Sequence, residues 1–221
     1  MQTYIKQEDT LPDGSAYDNM CGAYCATYYL LKENKASYIG GADQGEITIA
    51  GMTDDARSFV TSIYTCDVRL GKNENNAKDD YTSSAKLKDY LIKEHGINAL
   101  LYYDQDIGSR TVLEDKDVAS IFKGHDIDLG NLSERKDDNF YIIALLSRNE
   151  IGAEVDANFR DAHYVLLTKK GDTLTMLDPL VANEITVQDP WAFLEGKDDN
   201  ARVISGKNSF KFLRAGVYIP C

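Results

Sequence analysis

Seven consecutive apolar residues, Phe140-Tyr141-Ile142-Ile143-Ala144-Leu145-Leu146, constrain this chain more than any other stretch. The run is shorter than a core helix and lacks the polar alternation of a half-exposed strand, so it reads as a strand buried on both faces. The residues that follow are also strand-like. Candidate strands lie at 163–169 and 173–178, joined by a turn at Lys170-Gly171, with a further one at 184–187 and a closing one at 210–219. A short helix, Trp191-Ala192-Phe193-Leu194, begins after Pro190, whose fixed φ suits a first helical position.

The first half has a different period. An apolar run, Ala26-Thr27-Tyr28-Tyr29-Leu30-Leu31, sits within a buried helix expected over residues 20–33. Ala56, Phe59, Val60 and Ile63 have helical spacing within 53–65. Ser84–His95 reads as a helix with Leu87, Tyr90 and Leu91 on one face and Gly96 as its left-handed stop. His95 falls in the last turn, where an imidazolium complements the helix dipole, so it is assigned to capping. A strand is expected at 97–103. Pro12-Asp13-Gly14 marks a turn, Gly40-Gly41 a break, 46–50 a short strand or loop, and 70–81 a polar loop. Helices first and antiparallel strands after give an α+β class. The length of 221 residues suits one domain. Residues 104–139 are polar and charged, carry His125 beside Asp126 and one helical candidate at 117–123, and read as an insertion or lid.

Composition narrows the functional classes. Twenty-four basic against 36 acidic side chains leave a net charge of −12, which argues against nucleic acid and anionic membrane surfaces as partners. The polar N-terminal stretch shows no signal-peptide apolar core, and no apolar run approaches a membrane span. The expected localisation is therefore cytoplasmic, or secreted without a visible signal peptide, including delivery into a host cell. Cys21, Cys25, Cys66 and Cys221 are too few and too scattered for a disulfide framework. Cys21 and Cys25 share a helix face, but a CxxxC pair without a second pair is a poor zinc signature, so no metal and no cofactor are expected.

Cys21 has a better use. Asp18 or Asn19 can cap the helix through a side-chain oxygen, which places Cys21 at the positive end of the dipole, where a thiolate is stabilised. Cys25, one turn deeper, reads as a core residue. A cysteine nucleophile needs a base, and the base needs an orienting group. His163 opens one strand and Asp178 ends the next. With a turn through Lys170-Gly171, His163 and Asp178 stand directly opposed, within reach of a hydrogen bond. A turn at Gly171-Asp172 puts Asp178 on the diagonal instead, still on the same side, and a three-residue turn separates them. Asp161 and Asp189 are the other acidic candidates. Asp178 is preferred because Pro179 fixes the backbone after it.

Three segments together, Asn19-Met20-Cys21-Gly22-Ala23-Tyr24-Cys25, Ala162-His163-Tyr164-Val165-Leu166-Leu167 and Leu177-Asp178-Pro179-Leu180, resemble papain-like cysteine peptidases. The resemblance is greatest to bacteriocin-leader peptidases and to bacterial effector cysteine proteases and glutamine deamidases. It implies a nucleophile helix packed on a C-terminal antiparallel sheet, a Cys21–His163–Asp178 catalytic triad and a protein or peptide substrate. It implies a thiol-dependent amide hydrolase, either a cysteine protease or a protein glutamine deamidase, of the kind found among bacterial effectors and toxins. The family's oxyanion glutamine lies six residues before the cysteine, where this chain has Ser15. Gln7 and Asn19 are the other oxyanion candidates. A catalytically inactive binding module and a cell-wall peptidoglycan amidase are the alternative expectations.

Overall fold

The computed structural model describes residues 7, 20–33, 59–61, 63, 82–104, 122, 124–135, 137–150, 162–196 and 202–221. Helices α1 (Cys21–Lys32) and α2 (Ser84–His95) precede strand β1 (Leu100–Tyr103). Strands β2 (Asn139–Glu150), β3 (Ala162–Lys170), β4 (Thr173–Asp178) and β5 (Asn183–Thr186) follow, then helix α3 (Pro190–Glu195) and strands β6 (Val203–Ser205) and β7 (Asn208–Pro220). The strands form one seven-stranded antiparallel sheet in the order β1-β7-β2-β3-β4-β5, with β6 also paired to β7. The class is α+β, with helices packed on a mostly antiparallel sheet.

The apolar run at 140–146 lies in the middle of β2, held between β7 and β3. Its side chains serve two cores. Tyr141, Ile143 and Leu145 join the layer that contains α1 and α2, whereas Phe140, Ile142, Ala144 and Leu146 face the opposite layer with Phe193 and Leu194 of α3. A strand with apolar layers on both faces needs no polar positions, which accounts for the missing alternation. The same division runs through β3, with Tyr164 and Leu166 on the first side and Val165 and Leu167 on the second.

Helix α1 is buried on every side from Cys21 to Leu31, as an all-round apolar helix must be. Its end is tied to the sheet edge by Lys32, which pairs with Glu184 of β5. Ser83 caps α2 by accepting from the Lys86 N–H, and Gly96 ends it in the left-handed region at φ 64°. His95 stands in the last turn of α2; partial burial lowers its pKa, and Nε2 pairs with the Tyr90 hydroxyl at 3.0 Å. Residues 59–61 are helical, and Val60 and Ile63 are buried in the α1–α2 core, in keeping with the spacing at 53–65.

The central pair β2–β7 contains an irregularity. Leu145 pairs with Ala215 but Leu146 pairs with Phe212, so β7 carries two extra residues, Leu213 and Arg214, a bulge that bends the strand. Arg214 sits at φ 57°, uncommon for a residue with a side chain. Its guanidinium lies buried against Asp104 and donates to the Glu195 carbonyl at the end of α3. Two residues on, Gly216 lies so close to β2 that a Cβ there would come within 2.1 Å of the Ile143 carbonyl oxygen.

Within 104–139 the described residues are woven into the body of the protein. Phe122 stacks on Tyr103, Leu129 bridges to Tyr102, and Leu132 is buried in the α3-side core. His125 and Asp126 are exposed. Apart from Phe122, which is helical, the candidate helix at 117–123 lies outside the described residues, as do the features expected at 12–14, 40–41, 46–50 and 70–80. Among the described residues no helix is long and apolar enough to cross a membrane.

Candidate active site

The hairpin β3–β4 decides the site's geometry. Its ladder pairs Leu166 with Leu177, Leu167 with Met176 and Lys170 with Thr173. The turn is therefore Gly171-Asp172, with Gly171 at φ 54°, and the direct opposition through Lys170-Gly171 is not formed. The glycine takes the first turn position, where a positive φ is required. Asp178 lies on the diagonal from His163 on the same side, and His163 Nε2 still meets Asp178 Oδ1 at 2.9 Å. The imidazole ring is long enough to span the extra distance.

Asp178 is itself fixed. Oδ1 also accepts the Leu180 N–H at 2.9 Å, an Asx turn across Pro179. The Asp178 carbonyl accepts from Val181 and Ala182. Asp189, the alternative orienting acid, is occupied elsewhere: it caps α3 by accepting the Ala192 N–H at 3.1 Å. Asp161 lies outside the described residues.

Cys21 is the first residue of α1 and therefore stands where β3 begins. The main-chain N–H of Tyr164 donates to Cys21 Sγ at 3.4 Å. Burial disfavours the charged His163 ring, but its interactions with Asp178 and Cys21 outweigh that, and the His163 pKa is raised to about 9. The ring lies beside Phe210, with centroids 5.9 Å apart. Exposure falls from 8% at Cys21 through 4% at His163 to 0% at Asp178, so Cys21 is the most exposed of the three.

The N-cap position of α1 is Met20, which makes no side-chain cap hydrogen bond; the expected capping residues Asp18 and Asn19 lie outside the described residues. The helix ladder starts with Tyr24 N–H to the Met20 carbonyl, so the first-turn N–H groups around Cys21 have no acceptor inside the helix. Cys25 is fully buried. Burial, and then the negative charges of Cys21 and Asp178, raise its thiol well above the usual range, which leaves it an inert core group. Among the described residues, no three His, Cys, Asp or Glu side chains gather where they could hold a metal ion.

Of the oxyanion candidates, Gln7 is described. Its N–H donates to the Pro179 carbonyl at 2.9 Å, one residue beyond Asp178, and its carboxamide oxygen is buried. Ser15 and Asn19 lie outside the described residues. A cavity of about 470 Å³ between β5, α3 and β6, lined by Ile185, Val187, Phe193 and Ile204, contains none of the triad residues.

No protein-family model matches the chain, and no curated protein matches its sequence. The functional reading therefore rests on the geometry of the site.

Sequence reasoning missed three contributors. The Tyr164 N–H acts through the main chain and leaves no mark on residue type. Phe210 arrives from a strand 47 residues further along than His163. Segment 82–84 packs against both Gly22 and Tyr164, contacts between distant parts of the chain that no local pattern announces.

Proposed function

We propose that this chain is a thiol-dependent amide hydrolase of papain-like architecture, acting on a protein or peptide amide through Cys21, His163 and Asp178. One observation carries the reading. A histidine hydrogen-bonded to a buried carboxylate is followed in the chain by Tyr164, whose main-chain N–H donates to the sulfur of a cysteine at the start of a helix. Three residues separated by 142 and 15 positions in the chain have no packing reason to converge in that order.

The raised pKa of His163 bears on the first step. The ring favours its charged form, which assists transfer of the thiol proton from Cys21 to His163. The thiolate attacks the amide carbonyl carbon, and the carbonyl electrons move onto oxygen. That oxyanion is received by the Cys21 N–H at the helix start, with Gln7 as the candidate side-chain donor. Nδ1–H of His163 protonates the departing amine as the C–N bond breaks, leaving a thioester on Cys21. Neutral His163 then takes a proton from water, the resulting hydroxide attacks the thioester, and the carboxylic acid leaves as the C–S bond breaks and His163 returns its proton to Cys21. Asp178 keeps Nε2–H oriented throughout and is not itself protonated.

The test is selective alkylation followed by turnover. Iodoacetamide at neutral pH modifies Cys21 faster than the exposed thiol of Cys221, while Cys25 stays unmodified in the folded protein. Cys21→Ala removes the rapid modification and all hydrolysis of a peptide library or of protein glutamine. Rapid labelling that persists in Cys21→Ala rejects the assignment.

A further inference from the structure

Each of the two reacting residues is followed in the chain by a residue that one short segment grips. Gly22, next to Cys21, lies against Thr82 so closely that a Cβ on it would be 2.4 Å from Thr82 Cγ2. Tyr164, next to His163, is buried, and its hydroxyl makes a 2.6 Å contact with Ser84 Oγ and donates to the Thr82 carbonyl at 3.3 Å. One proton arrangement satisfies both: Ser84 Oγ–H donates to the phenol oxygen, and the phenol proton goes to Thr82. The β3–β4 ladder stops at the Leu166–Leu177 pair, and beyond that end the Tyr164 N–H donates to Cys21 Sγ.

We propose that Tyr164, anchored by Thr82 and Ser84, is a positioning residue whose main-chain N–H is held on Cys21 Sγ and sets the reactivity of that sulfur. This rests on the functional reading above and deepens it. The packing of the site needs only the aromatic ring; a phenylalanine would fill the same space. The hydroxyl adds a second fixed point. With its ring edge tied to α2 and its main chain tied to β2 through Leu145, Tyr164 cannot rotate its N–H away from sulfur. A hydrogen bond to a charged acceptor is stronger than one to a neutral acceptor and is more sensitive to direction. Because segment 82–84 also seats Gly22, a single support fixes the separation between the helix start and the strand start.

The experiment measures the rate of Cys21 modification by iodoacetamide across pH, mapped by mass spectrometry, with Cys221 as the internal reference thiol and a thermal melt as the check on folding. Variants are Tyr164→Phe, Ser84→Ala and the double substitution. Tyr164→Phe is expected to slow Cys21 modification at neutral pH by roughly threefold to tenfold, the scale of a weakened hydrogen bond to charge, and to move the half-maximal rate to higher pH while Cys221 is unchanged. Ser84→Ala shifts both quantities the same way, and the double variant falls no further than Tyr164→Phe alone, because both act on one linkage. A wild-type rate and pH midpoint in folded Tyr164→Phe or Ser84→Ala overturns the positioning role while leaving the triad standing. A wild-type Cys21 no more reactive than Cys221 overturns the triad reading and this one with it.

Discussion

Asp178 Oδ1 meets His163 Nε2 at 2.9 Å across a diagonal of the β3–β4 hairpin, and the same oxygen accepts the Leu180 N–H. Both donors converge on one oxygen, which predicts the behaviour of an amide at this position. In Asp178→Asn the carbonyl oxygen is held toward Leu180 and His163, so the imidazole keeps its orientation. The negative charge that helps raise the His163 pKa is gone. Cys21 modification should therefore persist within about tenfold of wild type and the alkaline limit of hydrolysis should move to lower pH, whereas Asp178→Ala should lose more. The new NH2 group falls where Oδ2 is buried without a hydrogen-bond partner, so a stability loss of about 1–3 kcal/mol should accompany it in denaturant titrations.

Stability should also report the His163 proton. Its folded-state pKa of about 9 exceeds the ordinary 6.5, so the folded protein holds the proton more tightly than the unfolded chain. That contribution is complete below about pH 6.5 and is lost as pH rises through about 9. Urea midpoints of the wild type and of His163→Gln should converge over that window. A gap that widens with rising pH contradicts the raised pKa.

Cys25 separates core from chemistry. Cys25→Ala removes a fully buried sulfur one turn below Cys21. It should cost about 1 kcal/mol through the small void it leaves. Labelling of Cys21 and hydrolysis should both survive. Loss of either, in a variant that melts within a few degrees of wild type, would assign Cys25 a chemical role.

The β2–β7 contact is the least forgiving place in the sheet. In Gly216→Ala the new methyl would lie 2.1 Å from a main-chain carbonyl at φ 146°, and neither strand can retreat without breaking ladder bonds. A loss above about 3 kcal/mol is expected, at the upper end for overpacking. The measurement is the yield of folded protein and the denaturant midpoint.

Arg214→Met should be nearly as severe for a different reason. It leaves Asp104, 2% exposed, without the guanidinium it is buried against. Stranding one member of a buried pair costs about 3–5 kcal/mol. Asp104→Asn combined with Arg214→Met should recover part of that loss, since no charge is then left unpaired.

The amino-acid order alone located most of the elements, β6 (Val203–Ser205) excepted. Runs such as 140–146 and 164–167 bury apolar side chains at every position, and α2 carries its own stop in Gly96; such signals are local and survive without knowledge of neighbours. Strands nevertheless extend beyond their apolar centres, as in Asn139–Glu150, because ladder bonds continue where side chains turn polar. The identities of Cys21, His163 and Asp178 were also legible, since few residue types can supply a nucleophile, a base and an orienting acid. Tertiary structure decided how they meet. The hairpin chose Gly171-Asp172 over Lys170-Gly171 because glycine alone takes the positive φ at the first turn position without strain, and that two-residue shift moved Asp178 onto the diagonal. The main-chain donor on sulfur, the shared grip on Gly22 and Tyr164, and the charge state of His163 depend on separations across the chain and on burial, quantities that no single stretch of residues encodes.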